Sequence, residues 1–436
     1  MAEKVIFHID VNSAFLSWTA AWRVHVLGSS VDLREIPAVI ASCANVRTSI
    51  VLAKSIPAKK CGVKTGEPLG MARDKCPGLV VAEPDYELYV MASRSLMQLL
   101  QSVSPCVEQY SIDEAWVDMT GTQGLYGPPV MAAEQLKARI RSELGFTVNI
   151  GVSSNKLLAK MAGDFEKSDK VHTLFPWELE KKLWPLGVRE LFMVGPATER
   201  KLAQMGICTI GELAKADPVF LREKLGKPVL TLWQSANGRD CGAVQPPPEV
   251  NKSYGNAMTT PADVTTFSQA QQVLLSLCET VGMRLRRDEQ ACACVGVQLR
   301  DKNFSNWSHQ LQLSAATNVT AELYDASCRA LRLMWNENTP LRQLGVQATK
   351  LSPAGCRQCS LFDKADYTRL EKLDTAVDAI RDKFGEQAIV RGTFLKGEVG
   401  SMAGGLHKER RTGITKPVDD PVARMMKKLK MQMHEV

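Results

Sequence analysis

The sequence predicts a multidomain α+β protein, and three observations carry that expectation. At 436 residues the chain is about three ordinary domains long. Over its first 165 or so residues, short apolar strands alternate with stretches of helical period, the pattern of a sheet covered by helices. After a proline-rich link, the order strand, helix, strand, strand, helix, strand runs over residues 252–351, a compact unit of its own.

The bulk composition narrows the class. Apolar residues make up 45% of the chain and charged residues 23%, ordinary for a globular protein. No apolar run is long enough to span a bilayer. Glu3 and Lys4 lead straight into a strand with no signal-peptide core, so a cytoplasmic protein is expected. The net charge of +7 fits a nucleic-acid partner without requiring one. The twelve cysteines are scattered in apolar contexts such as Cys43, Cys106, Cys278 and Cys294, which reads as reduced thiols. Cys356 and Cys359 form a lone CxxC, two ligands short of a structural zinc site.

The first element is the strand Val5-Ile6-Phe7-His8-Ile9-Asp10-Val11, apolar but ending in an acid. A helix follows over Ser13–Val26, with Ser13 placed to cap it. Residues 30–72 form a small lysine-rich unit, in which the strand Ile50–Ala53 leads through Lys54 into a short helix carrying Lys59 and Lys60. Lysines beside a strand-to-helix turn suit triphosphate oxygens; taken alone, a solvated basic face is the simpler reading. A helix over 86–104 precedes the strand Tyr110-Ser111-Ile112-Asp113-Glu114-Ala115-Trp116, around which the chain is organised. Adjacent carboxylates in an apolar strand are costly to desolvate, and a hard divalent cation offsets that cost. Asp10 supplies a further oxygen donor. On an ideal strand Asp113 and Glu114 point to opposite faces, so both are ligands only if the strand ends, twists or bulges there. Exposed acids at a strand end remain the other reading. A helix over 130–144, a strand over 146–152 and a strand-to-helix turn through Gly151–Lys160 complete this region.

Residues 168–237 read as short helices. Val194-Gly195-Pro196-Ala197, followed by Lys201 and by Met205-Gly206-Ile207, has the form of a helix-hairpin-helix, whose turn exposes N–H groups to a DNA phosphate; an ordinary helical hairpin is the alternative. The linker spans 238–251 and includes Pro246–Pro248. Leu370, Leu373, Val377, Ile380 and Phe384 share one helix face. Beyond about 395 the chain is rich in glycine, lysine and arginine, and a mobile tail is expected there.

These residues resemble the motifs of the Y-family translesion DNA polymerases over roughly residues 4–363. His8-Ile9-Asp10-Val11-Asn12-Ser13-Ala14-Phe15 is similar to the family's first acidic motif, Tyr110–Glu114 to its second, and Gly151–Lys160 to its third. The resemblance implies a right-hand architecture. The palm would comprise 1–17 and 73–167, with small fingers at 18–72 and the helix-hairpin-helix thumb at 168–237. A little finger at 252–352 would precede a clamp-binding peptide and C-terminal tail at 353–436. It implies low-fidelity synthesis past damaged bases. Asp10, Asp113, Glu114 and the Val11 carbonyl would hold two Mg²⁺ ions. Phe15 would be the steric gate against ribonucleotides, and Lys54, Lys59 and Lys160 would contact the triphosphate. Val194, Gly195, Ala197 and Lys201 would touch DNA, so primer-template DNA and deoxynucleoside triphosphates are the implied partners. Gln358, Ser360, Leu361 and Phe362 resemble the peptide that docks on the bacterial sliding clamp. The fingers depart from the commonest pattern: Ile56 and Lys59 stand where many members have tyrosine and arginine, and Lys54 with Lys59 is closer to the branch resembling polymerase V catalytic subunits. Asn12 replaces a second aspartate. A polymerase-like accessory subunit without catalysis is the rival reading, opposed by the three retained acids; a helix-hairpin-helix nuclease would leave Phe15 and Lys160 without a role.

Overall fold

The computed structural model describes residues 4–42, 49–240, 242–245, 251–355, 367–395 and 399–402. Two compact units meet in sequence between Pro247 and Pro248.

The first unit begins with β1 (Ile6–Val11) and α1 (Ala14–His25). Ser13 stands at the head of α1 in a left-handed conformation (φ 49°) and makes no side-chain cap, unlike the expectation. The lysine-rich segment holds β2 (Ala38–Ile40), β3 (Ala53–Lys54), α2 (Ile56–Lys60), α3 (Leu69–Lys75) and β4 (Val80–Ala82). Its three strands form a separate sheet in the order β3-β2-β4 over a small core of Val39, Val51, Ala58, Val63 and Leu69. Next come α4 (Tyr86–Gln101), β5 (Val107–Gln109), β6 (Glu114–Asp118), α5 (Gln123–Tyr126), α6 (Pro129–Leu144), β7 (Val148–Ser153), α7 (Lys156–Asp164) and β8 (Val171–Thr173). The main sheet has the order β5-β6-β1-β7-β8.

Strand alternation explains how β1, buried along its whole length, carries both core and chemistry. Phe7, Ile9 and Val11 point one way, opposite Val152, Ile150 and Val148 of β7, into the core beneath α1, α4 and α6. His8 and Asp10 point the other way, with Glu114 and Trp116 of β6 directly across from Asp10 and His8. On that side α7 lies against the sheet at Gly151. A Cβ there would stand 1.8 Å from the Ala159 carbonyl oxygen and 2.5 Å from the Gly163 nitrogen. We expect Gly151→Ala to force α7 off the sheet and to destabilise this unit by about 3 kcal/mol; the midpoint of urea unfolding reads the loss directly.

The remainder of the first unit is helical: α8 (Leu179–Lys182), α9 (Pro196–Ala203), α10 (Ile210–Lys215), α11 (Pro218–Leu225) and α12 (Pro228–Ala236) share a core with Leu157, Leu158 and Met161 of α7.

The second unit contains β9 (Tyr254–Val264), α13 (Phe267–Arg287), β10 (Gln290–Asp301), β11 (Asn306–Thr317), α14 (Thr320–Met334) and β12 (Leu341–Pro353), the strand-helix order expected. Its antiparallel sheet runs β11-β10-β12-β9, with α13 and α14 packed on one face through Leu274, Leu277, Val281, Leu323 and Leu331. One expectation changes here. Helix α15 (Tyr367–Phe384) belongs to this same unit, and its buried residues are Asp374 and Arg381. Leu373 and Phe384, two of the five apolar residues that share one face of this helix, are 58% and 67% exposed. The reason is electrostatic. Arg286 of α13 pairs with Asp374 at 3.2 Å and Asp378 at 2.7 Å, while buried Glu279 receives Arg381 at 3.3 Å and Arg391 at 2.8 Å. Asp374 also accepts from the Thr320 N–H at the head of α14.

Gln358, Ser360, Leu361, Phe362, Cys356, Cys359 and the basic clusters beyond 403 lie outside the described residues. No helix among the described residues is long and apolar enough to cross a membrane.

Candidate active site

The strand carrying the paired acids is shorter than its composition suggests, and that resolves their geometry. β5 ends at Gln109 and β6 begins at Glu114, so residues 110–113 form the turn of a hairpin. The Ser111 hydroxyl organises that turn, donating to Asp113 Oδ1 at 2.7 Å and accepting from the Asp113 and Glu114 N–H groups. Asp113 is therefore released from strand alternation while Glu114 keeps the face of its cross-strand partner Asp10. The Asp113 carbonyl accepts from the Val11 N–H at 3.1 Å, which ties the turn to the end of β1. All three acids, with Val11, line one open cleft of about 590 Å³.

The other walls of this cleft are Phe15 from α1, and Lys54, Ile56 and Lys59 from the lysine-rich unit. Phe15 is held from behind. Its ring stacks on Tyr89 with centroids 4.4 Å apart and planes 8° apart. The Tyr89 hydroxyl meets the Thr19 hydroxyl at 3.2 Å, and Thr19 donates to the Phe15 carbonyl at 2.8 Å. Burial and the neighbouring Lys59 charge hold the Lys54 ammonium below the ordinary lysine range, as expected of cations gathered where an anion is to bind. Asn12 donates to the Thr147 hydroxyl at 3.2 Å, taking a structural part where an acid would add charge.

Lys160, expected at the triphosphate, is not among the residues that line the cleft. It is buried on α7, with Nζ 2.5 Å from Glu114 Oε2 and near the rings of Tyr110 and Phe192. Besides Lys54 and Lys59, Lys167 faces the cleft, a residue not singled out from the sequence. It sits just beyond the end of α7, 2.8 Å from Asp10 and 3.1 Å from Asp164. A signal was present, since Lys167 follows a helix end and is flanked by Asp164, Glu166 and Asp169.

Electrostatics separate the two strand acids. For Asp10, burial raises the carboxyl above its ordinary range; Lys167 opposes this and the Glu114 charge adds to it. For Glu114, burial acts upward too, but His8 and Lys160 outweigh it and hold the group at about 2. Burial works against the Lys167 ammonium, yet Asp10 and Asp164 overcome it and raise its proton affinity. Among the described residues no group of three or more His, Cys, Asp or Glu stands where it could hold a metal ion. The three carboxylates that line the cleft are hard oxygen donors of the kind Mg²⁺ takes together with water and substrate phosphates.

The residues expected at DNA lie apart from this group. Gly195 precedes α9, Val194 is buried with its carbonyl accepting from Arg189, and Ala197 and Lys201 are exposed.

Comparison with known proteins adds to this geometry. Residues 9–164 match the model of the impB/mucB/samB family, and residues 251–361 match that family's C-terminal domain; together the matches span more than half of the chain. DNA polymerase IV of Clostridium acetobutylicum is 43% identical over 396 residues, covering 91% of this chain and 99% of the relative. DNA polymerase IV of Acetivibrio thermocellus is 35% identical over 398 residues, covering 90% and 98%. Among solved structures, a Y-family DNA polymerase chimera superposes with a TM-score of 0.68 at 22% identity, over 79% of this chain and 98% of that one.

Proposed function

Because the chain belongs to the impB/mucB/samB family, the Y-family DNA polymerases, we propose that it is a translesion DNA polymerase whose reaction takes place in the cleft at Asp10. The observation that carries this is the convergence of Asp10, Asp113, Glu114, Phe15, Lys54 and Lys59 on that one cleft. The pair Lys54 and Lys59, closer to the polymerase V branch by sequence, stands in a chain whose relatives are named DNA polymerase IV.

In this reading Asp10, Asp113, Glu114 and the Val11 carbonyl would hold two Mg²⁺ ions, which would supply activation of a primer hydroxyl and neutralisation of charge on the departing pyrophosphate. The protein's own residues do the rest. The flat Phe15 ring, braced by Tyr89, bears on the sugar and rejects a 2′-hydroxyl. Lys54, Lys59 and Lys167 face the same cleft and supply point charges to the triphosphate, without the bidentate fork of arginine. The turn before α9 offers backbone N–H groups to the DNA backbone, with Lys201 beside it. Gln358, Ser360, Leu361 and Phe362 dock on a sliding clamp, raising local concentration at the primer end.

The test is primer extension on undamaged and lesion-bearing templates with Mg²⁺. Lengthening of the primer supports the reading; shortening identifies a nuclease, and DNA binding without either identifies an accessory subunit. Within that assay, Lys167→Ala should raise the KM for the incoming nucleotide roughly tenfold to a hundredfold, the effect of losing one charge-assisted hydrogen bond. An unchanged KM in single-nucleotide incorporation would remove Lys167 from the triphosphate site.

A further inference from the structure

We propose that His8 and Lys160 are positioning residues that fix Glu114 for metal binding, a reading that rests on Glu114 being a metal ligand. Both contact the same carboxylate oxygen. His8 Nε2 lies 3.3 Å and Lys160 Nζ 2.5 Å from Glu114 Oε2, and among the described residues Oε1 has no protein partner. His8 is 1% exposed and Lys160 7%, whereas Glu114 reaches the cleft. The two donors therefore hold one carboxylate oxygen from the buried side of a residue that also lines the cleft.

The orientation is over-determined by the fold. His8 Nδ1 is buried without a partner, so a proton there would be unsatisfied. Nε2 is therefore the ring nitrogen that donates, and it donates to Glu114. Gly151 lies directly across from His8 and lets α7 touch the sheet. Gly163 of α7 would place a Cβ 3.3 Å from His8 Nδ1, so α7 closes over the imidazole and brings Lys160 down beside it. A glutamate free to rotate would lose side-chain entropy each time it took up a metal. Here that freedom is already removed by partners behind the ligand, an arrangement that tunes metal sites generally.

Three roles for Lys160 make opposite forecasts. As a positioning residue, its loss weakens metal binding. As a mere buried charge, its loss tightens metal binding by removing repulsion of the divalent ion. As a triphosphate contact, its loss raises nucleotide KM and leaves the metal alone. The experiment titrates Mn²⁺ into the full-length enzyme bound to primer-template and a non-hydrolysable deoxynucleotide, following free Mn²⁺ by electron paramagnetic resonance. Lys160→Met and His8→Phe should each raise the half-saturating Mn²⁺ concentration roughly tenfold to a hundredfold. Lys160→Arg and His8→Gln, which keep a donor, should recover most of it. In steady-state extension the Mg²⁺ requirement should rise in parallel, with nucleotide KM at saturating Mg²⁺ little changed. Unfolding midpoints and DNA affinity serve as controls for folding; if Lys160→Met does not fold, Lys160→Leu takes its place. Unchanged or tighter Mn²⁺ binding in folded variants overturns the proposal, as does a selective rise in nucleotide KM. Glu114→Ala separates the two claims. Full Mn²⁺ binding by that variant overturns the ligand reading itself, while loss there with wild-type binding in Lys160→Met overturns only the positioning role.

Discussion

Replacing Asp113 and Glu114 together by alanine is expected to abolish primer extension, lowering the rate by roughly a thousandfold or more, about 4 kcal/mol of transition-state stabilisation. The pair is separable from folding to an unusual degree. Asp113 sits in the turn between β5 and β6, and Glu114 is the first residue of β6, so neither change creates a cavity in the core. The backbone bonds that close the turn, from the Tyr110 and Ser111 N–H groups to the Glu114 carbonyl, survive both substitutions. What is lost is two of the three carboxylates facing the cleft, and Asp10 alone cannot hold two cations. The cost falls on Lys160, left buried without its counter-charge, so some loss of stability accompanies the loss of rate. DNA affinity should be retained. Extension by the double variant at the wild-type rate would displace the chemistry from this cleft.

Phe15→Ala should admit ribonucleotides. In the proposed reading Phe15 acts by collision, and rejection of an added hydroxyl by an apolar wall amounts to roughly a hundredfold, about 2.7 kcal/mol. We expect the ratio of kcat/KM for deoxyribonucleotide over ribonucleotide to fall by that order, chiefly through faster ribonucleotide insertion. Because the ring is only half-buried and rests on Tyr89, truncation opens space toward the cleft. An unchanged ratio, measured by single-nucleotide incorporation in both series, would reduce Phe15 to a packing residue.

How much of this was legible in the sequence differs from residue to residue. Asp10, Asp113 and Glu114 stood out because carboxylates in apolar strands demand a reason, and the structure gathers them. Their adjacency was ambiguous by alternation alone, since nothing local announces that β6 starts at Glu114; the Ser111 hydroxyl sets that start. Lys160 was read by motif as facing the substrate. Its neighbours Leu157, Leu158, Ala159, Met161 and Ala162 mark a helix buried all round, in which a lysine needs an internal acid. Lys167, past the end of that helix, was hidden among ordinary surface charges. The α15 face misled for a different reason. Five apolar residues at helical spacing argue for a buried stripe, yet Arg286 and Glu279, about ninety to a hundred positions away in the chain, draw Asp374, Asp378 and Arg381 inward instead. Periodicity describes one helix and is blind to the charges of another.

The attachment of α15 also has a dynamic consequence. Apolar contacts tolerate sliding, whereas ion pairs drawn out of water repay their desolvation only when every partner is in place. A shift of α15 by one turn would strand Arg286 and Glu279 together. The helix should therefore not fray residue by residue from its end. Its backbone amides should exchange with solvent as a single block, at a rate set by the whole seam letting go at once.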